Sequence, residues 1–248
     1  LRLIVCIGFH SICMPDIIIE NSTNCRCGLP MASSISARST GSFPEDSVML
    51  RTLQKDGNIL VFTFATALNA SGGFEKNIRR LTGMNIRKDL RRKVRMQYAE
   101  KHSQDPLAAG LDTIRIEQGE MMPLFYVDDP TAVPLAWYDK NPDLTAAAVK
   151  RHKNWTAVYS GPGTFSPEFP RALAAEAGIR PVGPLNDVTV AGNGIVAVHA
   201  AVPGSKTINL AEKVNLMDLS TGQWVAFGTD RYTFFMKFGE TKWFKIAK

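Results

Sequence analysis

The chain has 248 residues, of which 45% are hydrophobic and 21% are charged. That is enough apolar side chain for one large domain or two small ones with separate cores. The formal net charge of +6 is a modest surplus that favours acidic surfaces and falls short of a dedicated nucleic-acid binder. No apolar stretch is long enough to span a bilayer. We therefore expect neither nucleic acid nor a membrane as a partner, and the composition leaves the compartment open.

Residues 1–43 form an irregular N-terminal segment in this interpretation. The opening "LRLIVCIGF" favours a buried first strand over a truncated signal peptide. A Ser-, Asn- and Gly-rich stretch from Asn21 to Ser42 predicts a long loop. All four cysteines lie in this segment, none in CxxC spacing, so we interpret them as ordinary thiols rather than metal ligands.

Residues 44–183 are predicted to form an α/β domain. Pro44 suits the first turn of a helix that ends before Gly57. "NILVFTFA", from Asn58 to Ala65, is a continuous apolar run typical of a strand buried on both faces of a parallel sheet. "FEKNIRRLTG" then predicts a helix that ends at Gly83. Helix, buried strand, loop and helix in this order indicate an open α/β sheet.

The middle of this domain is less regular. "MNIRKDLRRKVRMQYAE" could be a basic helix or two extended pieces, and the extended interpretation fits the domain better. "MPLFYVDD", "VPLAWYD", "AAAVKRHK" and "WTAVYS" predict short strands. The segment Tyr159–Ile179 then predicts a structural joint, with a helix over Pro167–Ala177 that is capped by Ser166 and closed by Gly178.

Residues 184–248 differ from the preceding domain in their pattern of apolar and turn residues. Short strand patterns such as "GIVAVHAA", "YTFFMKF" and "TKWFKIA" alternate with Gly, Asn, Pro and Asp turns, and no helical periodicity is present. These features predict a small all-β domain, interpreted as a sandwich.

No catalytic, cofactor-binding or metal-binding residue can be assigned from motifs. The glycine loop around Gly161 and Gly163 lacks a Walker lysine, so a strand-to-helix turn is favoured over a phosphate cradle. Asp128 and Asp129 point to opposite faces of an extended chain, and one of them is expected to cap the turn at Pro130. No Cys-His-Glu triad or GxSxG serine motif is found.

The basic run from residue 87 to residue 95 could contact nucleic acid, although it has few interleaved aromatic residues. We favour a solvated face, or pairing with acidic residues of another subunit. Several aromatic residues could instead stack on sugar rings. The candidate carbohydrate contacts are Trp137, Trp155 and Trp224. Tyr138 and Trp243 could also stack on sugar rings. The alternative for all five is packing in the core.

The segment "LQKDGNILVFTFATALNASGGFEKNIRRLTGMNI" resembles the region that follows the barrel in bacterial beta-galactosidase-like glycoside hydrolases. The phrases beginning "PLFYVDDPTAVPLAWYDK", and later "VNLMDLSTGQ" and "FGETKWFKI", continue the resemblance in order, so that it covers about Glu45 to Lys248. It implies a flavodoxin-like domain close to class I glutamine amidotransferases in fold, without their nucleophile, followed by a small β domain. In that family the domain serves trimer assembly and helps to wall the active site.

In the same family the catalytic carboxylates belong to a preceding (β/α)₈ barrel, for which this chain has no room. The resemblance therefore implies a non-catalytic accessory or oligomerisation portion of a glycoside hydrolase. Its expected partners are further copies of the chain or a catalytic barrel. A carbohydrate-binding module that uses the aromatic residues of the β domain is the alternative. An amidotransferase-like or other α/β hydrolase is the third possibility.

Overall fold

The computed structural model describes residues 3–7, 19–20, 50–68, 72–92, 94–95, 103–108, 111, 120–139, 141–162 and 168–248. The chain divides into two compact units, of which the first ends at Gly178 and the second runs from Ile179 to Lys248. Among the described residues, none of the helices is both long enough and apolar enough to cross a membrane.

The first unit is built on one eight-stranded sheet. Its strands are β1 (Leu3–Ile7), β2 (Ile19–Glu20), β3 (Asn58–Thr63), β4 (Ile86–Asp89), β7 (Leu124–Val127), β8 (Val133–Tyr138), β9 (Asn141–Arg151) and β10 (Trp155–Ser160). A separate pair joins β5 (Val94–Arg95) to β6 (Glu120–Met121). The helices are α1 (Phe74–Thr82) and α2 (Glu168–Glu176), with a 3₁₀ turn at Pro106–Ala108. Residues 50–53, in the first predicted helix, are also helical.

The sheet is mixed, in the order β2-β1-β3-β10-β9-β7-β4, with β8 paired to β9. Among the described strands, only the pairs β1–β3 and β3–β10 are parallel, and every other pair in the sheet is antiparallel. The described part of the unit is therefore mostly β, and the prediction of a flavodoxin-like open α/β sheet is not confirmed. The reason lies in the connections, because three residues join β9 to β10 and so short a turn requires antiparallel strands.

The first strand, the two extended pieces and the short strands of this unit are confirmed as β1, β4, β5, β7, β8, β9 and β10. Strand β3 is buried on both faces, as predicted, since its four central residues are at most 1% exposed. Leu60 and Phe62 lie in the same apolar cluster as Ile78 and Leu81 of α1. The continuous apolar pattern predicts burial on both faces because a parallel central strand has no polar face.

The predicted joint at Tyr159–Ile179 contains the end of β10 and helix α2. Phe169 and Leu173 are buried, at 1% and 2% exposure, and Val158 is fully buried. The predicted cap Ser166 lies outside the described residues. Gly161 does not have the left-handed backbone conformation for which turns often need glycine. A Cβ atom at this position would instead collide with the Tyr138 hydroxyl and the Phe125 carbonyl oxygen.

The second unit is all β within the described residues, as predicted. Its strands are β11 (Val188–Gly192), β12 (Ile195–His199), β13 (Gly204–Asp218), β14 (Gln223–Met236) and β15 (Thr241–Ala247). They form one antiparallel sheet in the order β11-β12-β15-β13-β14. Asn193 and Gly194, both with positive φ, make the two-residue turn between β11 and β12, and this turn type suits the twist of a hairpin.

This second sheet curls over its own inner face. Phe244 on β15 makes ring contacts with Phe234 and Tyr232 on β14, with centroids 4.8 and 5.5 Å apart, although β13 lies between the two strands in the sheet. These rings join Ile208 and Leu216 of β13 in one buried cluster. One curled antiparallel sheet thus supplies this cluster, and the sandwich stays a prediction.

Candidate functional site

The outer face of the second sheet presents an in-register row of side chains that crosses four strands. Trp224 on β14 pairs with Met217 on β13, which pairs with Lys245 on β15, which in turn pairs with Ile195 on β12. Directly paired residues point to the same side of a sheet. Trp243 lies two residues from Lys245 and therefore shares that side.

The aromatic residues of this outer face are exposed to an unusual degree for their size. Trp243 is 50% exposed and Trp224 is 44% exposed. Phe227, 71% exposed, lies beside Trp224 with ring centroids 5.9 Å apart. The alternation of β15 explains the arrangement, because Phe244 and Ile246 face the core and leave the intervening residues outside. The arrangement offers flat apolar surfaces beside polar groups such as Lys245, and such surfaces can stack on the apolar face of a ring ligand.

Trp155, another predicted carbohydrate contact, lies at the start of β10. The His152 ring stacks on it, with centroids 4.2 Å apart and 15° between the planes. The imidazole is itself held by a 2.9 Å hydrogen bond between its Nε2 and the carbonyl oxygen of Thr82. Trp155 is half-buried and packs against the cluster that contains Leu60. One face of the indole is therefore covered by protein, which leaves less of it for a ligand than at Trp224.

Trp137 and Tyr138 are neighbours on β8 with different surroundings. Trp137 is half-buried and pairs with Thr145 of β9. Tyr138 is fully buried, and its hydroxyl donates a 2.6 Å hydrogen bond to the carbonyl oxygen of Phe125. Trp137 and Trp155 belong to the first unit and Trp224 to the second, and their role as carbohydrate contacts stays a prediction.

The adjacent acids behave as the sequence predicts, with one of them capping the turn. Asp129 accepts hydrogen bonds from the backbone N–H and hydroxyl of Thr131, at 2.9 and 2.6 Å. Its other oxygen accepts from the Asn85 N–H at 3.0 Å and from the Lys150 ammonium at 3.1 Å. Asp128 is exposed and pairs with Arg87 at 3.2 Å.

The electrostatics of Asp129 follow from these contacts. Burial by itself would raise the pKa of this carboxyl, because its side chain is only 4% exposed. The hydrogen bonds from Thr131, Asn85 and Lys150 outweigh burial, so that the pKa of Asp129 lies well below its usual range. Both oxygens of this carboxylate are engaged, because each of them accepts two hydrogen bonds from the protein. Its role is structural.

The described residues contain no cluster of three or more His, Cys, Asp or Glu side chains suited to a metal ion. A second ionic node joins Arg151 to Asp105 at 2.7 Å and to Glu176 of α2 at 2.9 Å. A third, between Lys206 and Asp187 at 2.6 Å, is buried in the second unit. Each node pairs carboxylate with a cation, and at Arg151 two carboxylates share one guanidinium.

Of three comparisons with known proteins, the one with solved structures gives matches. No protein-family model matches the chain, and no curated protein is significantly similar to it. Among solved structures, the beta-galactosidase from Bacillus circulans sp. alkalophilus matches 82% of this chain with a TM-score of 0.51 and 15% sequence identity. A GH42 beta-galactosidase from G. stearothermophilus matches 82% of it with a TM-score of 0.50 and 17% identity.

The chain resembles part of these beta-galactosidases in fold. It spans 31% and 30% of the length of the two matched chains. At identities of 15% and 17% the likeness concerns the fold alone. The likeness in fold to part of a beta-galactosidase, which the sequence phrases first indicated, is thus supported by an independent comparison of backbones.

Two features of these sites are not among the predictions. Trp243 is not one of the three candidate carbohydrate contacts, although the lysines that flank the aromatic pair in "KWFK" are a signal that the pair alternates between core and solvent. The contact between Lys150 and Asp129, which are 21 residues apart, is the second feature. No local pattern marks that pair, because the hairpin of β8 and β9 alone brings the two residues together.

Proposed function

We propose that this chain is a non-catalytic accessory portion of a beta-galactosidase-like glycoside hydrolase, serving assembly or helping to shape a sugar site. The observation that carries the proposal is the likeness of fold over 82% of this chain to about 30% of a beta-galactosidase chain. The partners of this chain are further copies of it or a catalytic barrel.

A direct test is to assay the purified chain on nitrophenyl β-galactoside, with an intact beta-galactosidase as the positive control. We expect no turnover above a mock purification. Turnover that copurifies with the chain through two different columns would overturn the non-catalytic role. Light scattering after size exclusion tests assembly in the same preparation, where we expect a defined oligomer. A monomer at all concentrations would leave a separate catalytic barrel as the partner to be tested by co-purification.

The proposal includes a more specific fold assignment for the first unit. We infer that β1, β3 and β10, with α1 and α2, correspond to part of the flavodoxin-like, amidotransferase-like sheet that the family resemblance implies. Support comes from their parallel pairing in the order β1-β3-β10. An experimental structure tests it. Helical crossovers between β1 and β3 would support the correspondence, and a strand-only connection would contradict it.

Carbohydrate contact by the outer face of the second sheet is a second candidate function. It is favoured by the exposure of Trp224 and Trp243 on one face of the same sheet. Titration with a panel of neutral oligosaccharides, followed by tryptophan fluorescence, tests it. We expect saturable quenching that is lost in Trp224→Ala and kept in Phe238→Ala, a control in which another exposed ring (76%) is removed. An unchanged response in Trp224→Ala would exclude this residue as a contact.

A further inference from the structure

A cleft of about 530 Å³ lies where α1 faces β4. Four cationic side chains, one carboxylate and one amide contribute its polar lining: Lys76, Arg79, Arg80, Arg87, Glu75 and Asn85. Its volume is within the range of small-molecule sites.

The charges in this cleft are not balanced by the protein itself. Glu75 is already engaged, because it pairs with Arg87 at 2.8 Å. Arg87 also donates from Nε to Asp128 at 3.2 Å. The side chains of Lys76, Arg79 and Arg80 make no hydrogen bond or ion pair with any other residue that the structure describes. Three cations are left without a counter-charge among those residues.

The pattern of α1 explains why these cations share one side. Phe74, Ile78 and Leu81 are buried against the sheet, so the opposite face of the helix is open to solvent. Residues three and four positions apart are neighbours on a helix surface, which groups Lys76 with Arg79 and Arg80. Like charges at this spacing repel each other. This repulsion destabilises the helix locally, and a bound anion would relieve it.

Asn85, which lines the cleft and directly precedes β4, supports the same conclusion. Its backbone N–H is fixed by a 3.0 Å hydrogen bond to Asp129. Its side-chain amide is half-buried and makes no hydrogen bond to the other described residues. A half-buried amide can donate to an oxygen that the protein does not supply.

We propose that this cleft binds a small ligand carrying two or more oxyanion groups, phosphate or carboxylate. Guanidinium groups bind both in a bidentate manner, and Arg79 and Arg80 supply two such groups beside the Lys76 ammonium. A neutral saccharide would leave the three charges uncompensated. The site is therefore distinct in chemistry from the aromatic face of the second sheet, and it does not depend on the accessory role proposed above.

Calorimetric titration of the purified full chain at low salt, with inorganic pyrophosphate and separately with citrate, tests the proposal. We expect at least one of them to bind at one site, and the affinity to fall as salt is added, because ion pairing is screened. Pyrophosphate binding alone would assign a phosphate ligand, and citrate binding alone a carboxylate ligand. Binding of neither at low salt would overturn the proposal.

The variant Arg79→Gln/Arg80→Gln locates the site. Both side chains are exposed, so the fold should be kept, and we expect the affinity to fall by about tenfold or more, as charge-assisted hydrogen bonds are lost. The matched control Lys213→Gln/Arg231→Gln removes two exposed charges from the second unit and should change affinity by less than about twofold. Equal losses in the two variants would show non-specific attraction and overturn the proposal. If the double variant does not fold, Lys76→Gln replaces it with the same criteria.

Discussion

At the scale of single residues, the clearest structural determinant is Asp129. It lies two residues after the end of β7 and ties three separate pieces of the first unit together through Asn85, Thr131 and Lys150. Lys150 also donates a 2.6 Å hydrogen bond to the carbonyl oxygen of Gly83, the residue that ends α1. One carboxylate thus fixes the turn after its own strand and the exit of a helix.

We expect Asp129→Asn to lower the free energy of unfolding by about 2–4 kcal/mol, since it leaves the Lys150 ammonium without its counter-charge in a largely buried site. The matched control is Asp128→Asn, which removes the neighbouring exposed carboxylate and should cost less than about 1 kcal/mol. Urea denaturation followed by circular dichroism measures both. Equal midpoints for the two variants would show that the node contributes nothing specific.

The contribution of Asp129 should also depend on pH. Its pKa is lowered in the folded protein, so the unfolded state binds a proton first as the pH falls. The stabilisation is therefore present above the unfolded pKa of about 3.9 and is lost as the pH falls below about 4. We expect the difference in unfolding free energy between wild type and Asp129→Asn to shrink between pH 6 and pH 3. A difference that stays constant over this range would contradict the assignment.

At the scale of elements, the strand-to-helix joint depends on a close approach and not on an unusual backbone angle. Gly161 follows β10, and its N–H donates to the carbonyl oxygen of Ala146 at 2.8 Å. The Tyr138 hydroxyl and the Phe125 carbonyl oxygen, which are hydrogen-bonded to each other, occupy the space where a Cβ atom would lie. Strands β7, β8 and β10 therefore converge on a position that only glycine fits.

We expect Gly161→Ala to cost about 1–3 kcal/mol of stability, the usual size of an overpacking defect. Gly192→Ala is the control, since a Cβ atom there meets nothing within 4 Å, and it should be neutral or slightly stabilising. Combining Gly161→Ala with Tyr138→Phe should cost less than the sum of the two single changes, because the hydroxyl is one of the two colliding groups. Strict additivity in chemical denaturation would exclude this contact as the cause.

At the scale of the whole molecule, each unit has a buried apolar cluster of its own among the described residues. One contains Leu60, Phe62 and the apolar face of α1. The other contains Leu216 and Phe244 of the second sheet. The two clusters share no residue. The division into two compact units at Gly178 thus coincides with a division of the apolar cores, and each sheet has its own source of stability.

We expect Leu216→Ala, which removes a fully buried side chain, to cost about 2–5 kcal/mol. The loss should be local. Amide hydrogen exchange measured by mass spectrometry should quicken in β12, β13 and β15, while β3 and β10 keep their protection. Leu60→Ala, its counterpart in the first cluster, should give the reverse pattern. Equal loss of protection in both units from either variant would show that they unfold as one body.

Much of the local structure was fixed by residue pattern alone. The run "NILVFT" is a buried strand, "FEKNIRRLT" is a helix closed by glycine, and the last part of the chain is all β, because each depends on contacts between near neighbours and on side-chain periodicity. Trp224 is 44% exposed, and its predicted role as a carbohydrate contact stays a prediction.

Strand direction, strand order and the face that each residue presents were decided by tertiary structure. β3 pairs with β10, whose residues lie almost a hundred positions away, and no local pattern specifies that partner. A period of two separates the faces of a strand without saying which face will be covered, so Trp224 and Trp243 could be placed on the open side only once the registers of β13, β14 and β15 were known. The need for glycine at Gly161 is also decided by tertiary structure, since its neighbours Tyr138 and Phe125 come from strands that meet only when the sheet has formed.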